Sequence, residues 1–456
     1  FISIYCGLMI LLASCNNYLD VKPKGKIIPE TAEDFSTIIH YWLDQIEKGR
    51  DDVIIPNPEV MTTLEMFADD LNATLASNFG YTSIYVGSAI NKNQATYKTL
   101  YSVIKDCNMV IGNMDDTESD LARTLLGTAW SIRSICYYNL MQRYCEPYQP
   151  ETAKETLGLP LVDDFDMEAK PARANLKETA EFIEEGFRKA LSYNVSNEDF
   201  IFTSSVTKAY FARFFFWTQN WSNAITYAKE VLEKYPMLEA DEYVEAINQK
   251  QAKAHNVIIR SFTMDDDIGT MSYATAQADI KSRPVDRNLV DLFAATDNDV
   301  RRRCNYDSKR IVNKIITTKF RSEELCLIIA EAHAHLNQET DALGYLNQLR
   351  SKRITQNYIA YTIDNLPEVF QQNIKTDATG IPLTKLMSAI LCERRKELFV
   401  EGDRWFELKR NGRPEFWVAA KGKKFITEKY LYTFPIPKAD IRLFPDLLIQ
   451  NPGYIE

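Results

Sequence analysis

Glu393 and Glu397 stand one helical turn apart in Glu393-Arg394-Arg395-Lys396-Glu397-Leu398, a spacing at which two carboxylates can serve as an acid/base pair. Arg394, Arg395, Arg404 and Arg410 lie close by in sequence. A carboxylate beside a guanidinium is held ionised, which suits ion pairing rather than proton donation. The expectation is therefore a structural charge network joining the C-terminal part of the chain to the rest, with Trp405 and Phe406 packed into it. Histidine is scarce, and His333 and His335, two apart on a helix, point to different sides and cannot share a metal. His40 and His255 are isolated, no serine or cysteine sits in a nucleophile elbow, and no glycine-rich phosphate loop is present. Asp265-Asp266-Asp267 offers oxygens of the kind calcium takes but lacks EF-hand spacing, so a solvated acidic turn is expected. These readings predict no enzyme, no metal and no cofactor.

Binding chemistry is better represented. Between Asp69 and Tyr101 the chain sets Phe79, Tyr81, Tyr85, Asn91 and Asn93 among Gly and Ser, and Tyr273 lies further along. Sugar rings stack their C–H faces on aromatics while amides bond their hydroxyls, so these six residues are the candidate ligand contacts. A peptide ligand uses the same groups, and packing against the N-terminal helices is the competing role for each ring. Tyr97 and Tyr101, one turn apart, are expected in the core.

The first fourteen residues, Phe1 to Ser14, form an apolar run too short to span a bilayer, which needs about 20 residues. They read as the core of an export signal, with a few residues expected ahead of Phe1. Leu12-Ala13-Ser14-Cys15 looks like a bacterial lipobox, making Cys15 the lipidated first residue of an anchored mature chain. A net charge of −10 argues against nucleic acid as a partner. The other cysteines outside the signal lack CxxC spacing, so zinc is unsupported and pairing is left open. Cys136, Cys326 and Cys392 fall in apolar helical patterns and are expected as buried thiols.

Helical period dominates the elements that must carry these groups. Leu121, Leu125, Ile132, Ile135, Tyr138 and Met141 predict a helix over 120–144, and a second is predicted over 174–191 with Asn175 as its cap ahead of Glu178. Ala212 and Ala224 lie twelve apart around a polar break at Thr218-Gln219-Asn220, and Ala330 and Ala342 repeat that separation around Asn337-Gln338-Glu339-Thr340. Small residues at matched places on paired helices follow the logic of tetratricopeptide hairpins. Segments 237–319 and 351–380 show weaker periodicity, with β-like pieces such as Val257-Ile258-Ile259.

Four stretches together resemble the SusD/RagB family of outer-membrane nutrient-binding lipoproteins of Bacteroidetes. They are Tyr18-Leu19-Asp20-Val21-Lys22-Pro23-Lys24-Gly25 with Thr31 to Phe35, Gly158-Leu159-Pro160-Leu161-Val162 with Ala169-Lys170-Pro171-Ala172-Arg173, Glu393 through Arg410, and Phe434-Pro435-Ile436-Pro437 with Gln450 to Tyr454. The resemblance implies a mostly α fold: a tetratricopeptide-like helical hairpin scaffold with an irregular, loop-rich ligand-facing layer. It divides the chain into a signal (1–14), a tether (15–30) and one domain (31–456). Within that domain the scaffold is expected near 31–236 and 310–350, the irregular layer near 237–309 and 351–380, and a C-terminal segment over 381–456. It also implies a surface-exposed outer-membrane lipoprotein that binds a nutrient glycan, or in some members a peptide. Such proteins partner a SusC-like TonB-dependent barrel and serve as its extracellular lid. A surface glycoside hydrolase, with a true carboxylate pair in a deep cleft, is the rival from another class.

Overall fold

The computed structural model describes residues 29, 31–50, 53–76, 95–164, 170–249, 254–261, 271–294, 298–420 and 422–454. Its first helices are α1 (Ala32–Glu47), α2 (Pro58–Phe67), α3 (Ala95–Asn113) and α4 (Asp120–Tyr144). A short antiparallel pair, β1 (Leu157–Pro160) and β2 (Arg173–Asn175), leads into α5 (Leu176–Ser192), α6 (Ser204–Trp217) and α7 (Trp221–Lys234). Next come α8 (Ala240–Ile247), β3 (Val257–Arg260), α9 (Met271–Lys281), α10 (Arg287–Val290) and α11 (Val300–Asn305). Strand β4 (Lys319–Arg321) pairs antiparallel with β3 and runs straight into α12 (Ser322–His335), followed by α13 (Glu339–Ser351). The C-terminal part holds α14 (Lys385–Glu397), α15 (Asp403–Arg410), the hairpin β5 (Phe416–Ala420) and β6 (Lys423–Thr427), and α16 (Lys438–Leu443). The fold is mostly α, with sheet confined among the described residues to three two-stranded pieces.

Local chemistry explains the boundaries. Thr31 caps α1 in a reciprocal capping box with Asp34, and Phe35, Ile39, Leu43 and Ile46 then recur on its buried face. Helix α4 has its predicted limits; Ser119 accepts from the Ala122 N–H at its start, and burial nearly all round makes it the central rod. Helix α5 starts two residues later than expected, because Arg173 to Asn175 are used in β2 and Asn175 is the cap, boxed with Glu178. Gly158 is demanded by this junction, since a Cβ there would lie 2.2 Å from Thr179 Oγ1 and 2.4 Å from the Asn175 carbonyl.

The two repeated sequences form two helical hairpins, α6–α7 and α12–α13. Ala212, Ala224, Ala330 and Ala342 are all fully buried, so the paired backbones can approach closely. Both turns use a left-handed residue at the matching position, Gln219 (φ 62°) and Asn337 (φ 57°). Helix α7 packs on α12, and α14 lies across the second hairpin. Phe211, Phe215 and Tyr227 pack within the first, with centroids as close as 4.2 Å, and Phe187 of α5 stacks on Phe211 from outside it. The excess aromatics here serve mainly as packing. The segment expected as an irregular layer, 237–309, instead carries four short helices and a strand. Segment 352–384 contains no helix or strand.

All six cysteines from Cys107 to Cys392 are thiols outside any disulfide, five of them buried and Cys392 half-buried. Burial pushes the Cys145 and Cys392 thiols up to about 11.

The charge-dense segment is buried. Glu397, at the end of α14, accepts from Arg353 Nε at 3.0 Å, Arg321 Nη1 at 3.0 Å and Arg301 Nη1 at 3.4 Å, and all four side chains are at most 2% exposed. Glu393 takes Arg301 Nη2 at 2.7 Å and Lys396 Nζ at 2.5 Å. Glu323 of α12 receives Arg353 Nη2 at 2.8 Å and Asn256 Nδ2 at 2.8 Å. Trp405 is 1% exposed, stacked on Tyr432 at 4.4 Å, and Phe406 meets Trp217 edge-on. The chain's tail is sewn to the end of α4, with Phe434 N–H donating to the Arg143 carbonyl and Asn451 Nδ2 to that of Tyr144, both at 2.8 Å.

Removing Glu397 leaves three buried guanidinium groups without their shared counter-ion, and loss of one partner of a buried pair costs about 3–5 kcal/mol. Glu397→Ala is expected to lower stability by at least that amount in urea unfolding. A loss within the range of a surface substitution would show that the network holds nothing together.

Candidate functional site

Asp69 and Asp70 follow α2 and open the segment that leads into 77–94. Arg404 of α15 clamps Asp69 through Nε at 2.7 Å and Nη2 at 3.0 Å, and Asn373 Nδ2 adds a third contact at 2.8 Å. Arg395 of α14 donates to Asp70 Oδ1 at 2.6 Å. Burial resists ionisation of both carboxyls; Arg404 and Arg395 outweigh it at Asp69, holding it well below the usual range, whereas burial prevails at Asp70 and raises it. The next residues are stitched to the segment that leaves α9. Leu71 bridges to Val285, Asn72 N–H donates to the Pro284 carbonyl at 2.8 Å, and Asp286 N–H to that of Asp70 at 2.8 Å. Helix α9 packs on α2.

Tyr273 stands half-buried in the first turn of α9, its hydroxyl donating to Gln277 Oε1 at 3.2 Å. That carboxamide oxygen also accepts from the Ile316 N–H at 3.1 Å, so Tyr273 sits on a fixed support. Of the six candidate contacts it is the one whose surroundings are defined. Phe79, Tyr81, Tyr85, Asn91 and Asn93 lie outside the described residues, as do Cys15 and Asp265 to Asp267. What the structure brings together is the approach to 77–94 and α9, two regions some two hundred residues apart in sequence. Tyr97 and Tyr101 are packed inward with ring centroids 4.9 Å apart.

The β5–β6 hairpin adds a residue the sequence reading passed over. Ala419 N–H donates to Thr74 Oγ1 at 3.4 Å, which sets the hairpin beside the approach to 77–94. Trp417 is 58% exposed, directly opposite Ile426 at 46%, and the Lys424 ammonium lies 4.9 Å from the indole centre. The signal was present in Phe416-Trp417-Val418 and Phe425-Ile426 flanking a Lys-Gly turn, with Gly422 at φ +72°.

The carboxylates are engaged in pairing. Burial opposes ionisation of Glu393, but Lys396, Arg301 and Arg350 outweigh it and pull the carboxyl down to about 2. The central cavity, about 120 Å³, is lined by Glu324, Asp403 and Glu407, each ion-paired to Arg213, Arg394 or Arg404. It is below the roughly 300–1,000 Å³ of small-molecule sites. His335 stacks on Trp221 at 4.1 Å, and the His333 ring meets Gln338 Oε1 at 2.5 Å. Among the described residues no group of three or more His, Cys, Asp or Glu is placed to hold a metal.

The fold is a helical-hairpin scaffold with an interior locked by ion pairs. Family models match both ends of the chain: the SusD family over residues 304–454, and a family described as starch-binding associating with outer membrane over 17–216. The chain belongs to the SusD/RagB family. Among solved structures it is similar to a SusD superfamily protein from Bacteroides vulgatus, at TM-score 0.71 and 17% identity over 94% of this chain and 100% of that one. A SusD-like carbohydrate binding protein from Bacteroides vulgatus aligns at TM-score 0.61 and 18% identity, over 93% of this chain and 94% of that one. A laminarin binding SusD-like protein aligns at TM-score 0.62 and 17% identity, over 93% of this chain and 99% of that one. No curated protein matches.

One group beneath the site titrates near neutrality. Glu65 Oε1 accepts the Gly402 N–H at 2.6 Å, and burial together with neighbouring Asp70 pushes its carboxyl from 4.5 up to about 8. Because the folded pKa is raised, this contribution to stability is fully present below about pH 4.5 and is lost as pH climbs through about 8. Glu65→Gln keeps the acceptor for Gly402 and cannot ionise. Urea midpoints measured across that window are expected to fall less steeply in the variant than in the parent, and parallel slopes would refute the assignment.

Proposed function

We propose that this chain is a cell-surface capture protein for an oligosaccharide, passing it to a SusC-like TonB-dependent barrel over whose mouth it acts as the extracellular lid. The observation that carries the reading is the buried clamp of Asp69 and Asp70 by Arg404 and Arg395. It fixes the approach to a Tyr- and Asn-rich segment beside Tyr273's helix and the exposed Trp417. Flat rings and amides of this kind suit sugar C–H faces and hydroxyls. The description of one matching family as starch-binding, and the laminarin binding neighbour, support the same ligand class. The lid itself breaks no bond. The Glu393 and Glu397 carboxylates are paired with Arg301, Arg321 and Arg353, which favours capture over hydrolysis.

Attachment would come from acyl chains on Cys15, each buried CH₂ contributing about 0.8 kcal/mol. No helix among the described residues is long and apolar enough to cross a membrane, and the matching family is described as associating with outer membrane. Lid motion relative to the barrel would then gate delivery.

Calorimetric titration of the protein with plant and host oligosaccharides and with peptides is the test. Saturable oligosaccharide binding without product is expected, weakened about three- to tenfold by Trp417→Ala, Tyr273→Ala, Tyr81→Ala or Tyr85→Ala, as loss of about 1 kcal/mol of ring contact implies. Saturation by peptide alone would change the ligand class, and appearance of shortened sugars would overturn the non-enzymatic reading.

A further inference from the structure

A second concavity lies at the far end of 77–94, where α3 begins. Tyr97, Lys98, Tyr101, Ser102 and Lys105 fall on one side of α3, at spacings of four and one. Facing them are Pro160 at the end of β1, Val162 just beyond it, Lys170-Pro171, and Asp440, Phe444 and Leu448 from α16 and beyond. The enclosed volume is about 310 Å³, within the range of small-molecule sites, whereas the central cavity falls below it.

The floor is apolar and stiff. The Tyr101 hydroxyl donates to the Pro160 carbonyl at 2.9 Å, and Tyr97 is wedged between Tyr101 and Tyr144 with centroids 4.9 Å away on each side. The rim is cationic: Lys98, Lys105 and Lys170 are exposed, and Asp440 is the single carboxylate among the twelve described lining residues. Just outside, Asp106 approaches Lys105 at 3.3 Å while also accepting from Trp42 Nε1 at 3.1 Å. In a chain with 63 acidic and 53 basic residues, three ammonium groups around one groove invert the overall sign. A neutral sugar has no use for them. Lys98 and Lys105 stand two turns apart, about 10 Å along the helix axis, so they would meet anionic groups on different units of an extended ligand. Lysine's flexible stem and point charge suit carboxylates whose positions vary.

We propose that this groove binds a carboxylate-bearing oligosaccharide, its ring faces over the aromatic floor and its uronate groups on the lysine rim. The inference rests on the oligosaccharide reading and extends it to a ligand charge and to a site separate from the Trp417 rim.

The test titrates the full chain in detergent with trigalacturonate and, separately, with maltotriose. Trigalacturonate is expected to bind, and to weaken about tenfold or more in the Lys98→Gln/Lys105→Gln double variant and on passing from low to high salt, where exposed charges are screened. Maltotriose titrations should be the same in parent and variant, and both lysines are exposed, so the melting temperature should not move. Trigalacturonate binding that ignores the variant overturns the site. Binding of maltotriose but not trigalacturonate overturns the inference and leaves the oligosaccharide reading standing, while binding of neither removes both. Lysine-dependent capture of phosphatidylglycerol vesicles without trigalacturonate binding would reassign the groove to a lipid surface.

Discussion

The shared carboxylate of Glu397 is the point on which the rest of the structure turns. Three guanidinium groups converge on it from α11, from β4 and from just beyond α13, and none of the four side chains is more than 2% exposed. Taking these charges out of water costs several kcal/mol per ion, a cost offset only when every donor finds its acceptor. Each arginine is therefore useful only if the others are in place. Glu323 and Asn256 extend the network to the second hairpin and the strand before it, and Glu401 extends it to Lys314 and Arg321. A hydrophobic plug of equal volume can be as stable as such a network but does not require one register. Here the geometry specifies how the short helices of 237–309 seat against α14.

The same logic reaches the binding face. Arg395 and Arg404 belong to the charge-dense helices, yet their partners Asp69 and Asp70 are more than three hundred residues earlier. A segment chemically suited to ligand contact is anchored at its approach by buried ion pairs to the C-terminal helices. Binding residues on loops need such a base, because a loop supplies chemistry while its scaffold supplies position.

Much of this architecture is legible one element at a time. The Asn175 cap, the limits of α4 and the paired alanines follow from local propensity and period, and these are short-range facts. Glu393 and Glu397 were readable as ion-paired because arginines crowd them in sequence. Their actual partners Arg301, Arg321 and Arg353 were not readable, since these pairs to Glu397 span 44 to 96 residues and no period records them. Helices α8 to α11 were missed because they are four to eleven residues long, too short for a stable moment to emerge. Trp417 was passed over because a five-residue strand gives a weak signal beside a strongly helical background.

Why Glu397 is met by arginines and the groove is rimmed by lysines follows from what burial does to each. Burial pulls the Lys409 ammonium down to about 7, and it is satisfied by donating to backbone carbonyls at Gln142 and Arg143. Lys319 is drawn down to about 8 by the same cause. A buried lysine held only by backbone carbonyls, as Lys409 is, thus approaches neutrality, whereas Lys396 and Lys314 keep a carboxylate beside them. At Arg394, burial also opposes the charge, but Asp403 and Glu324 outweigh it and the guanidinium is held above its ordinary range. Its planar fork meets two carboxylates at once, so guanidinium is the cation that can lock a core. An ammonium keeps its usefulness where water still reaches it and a ligand can displace that water, which is the situation of Lys98, Lys105 and Lys170.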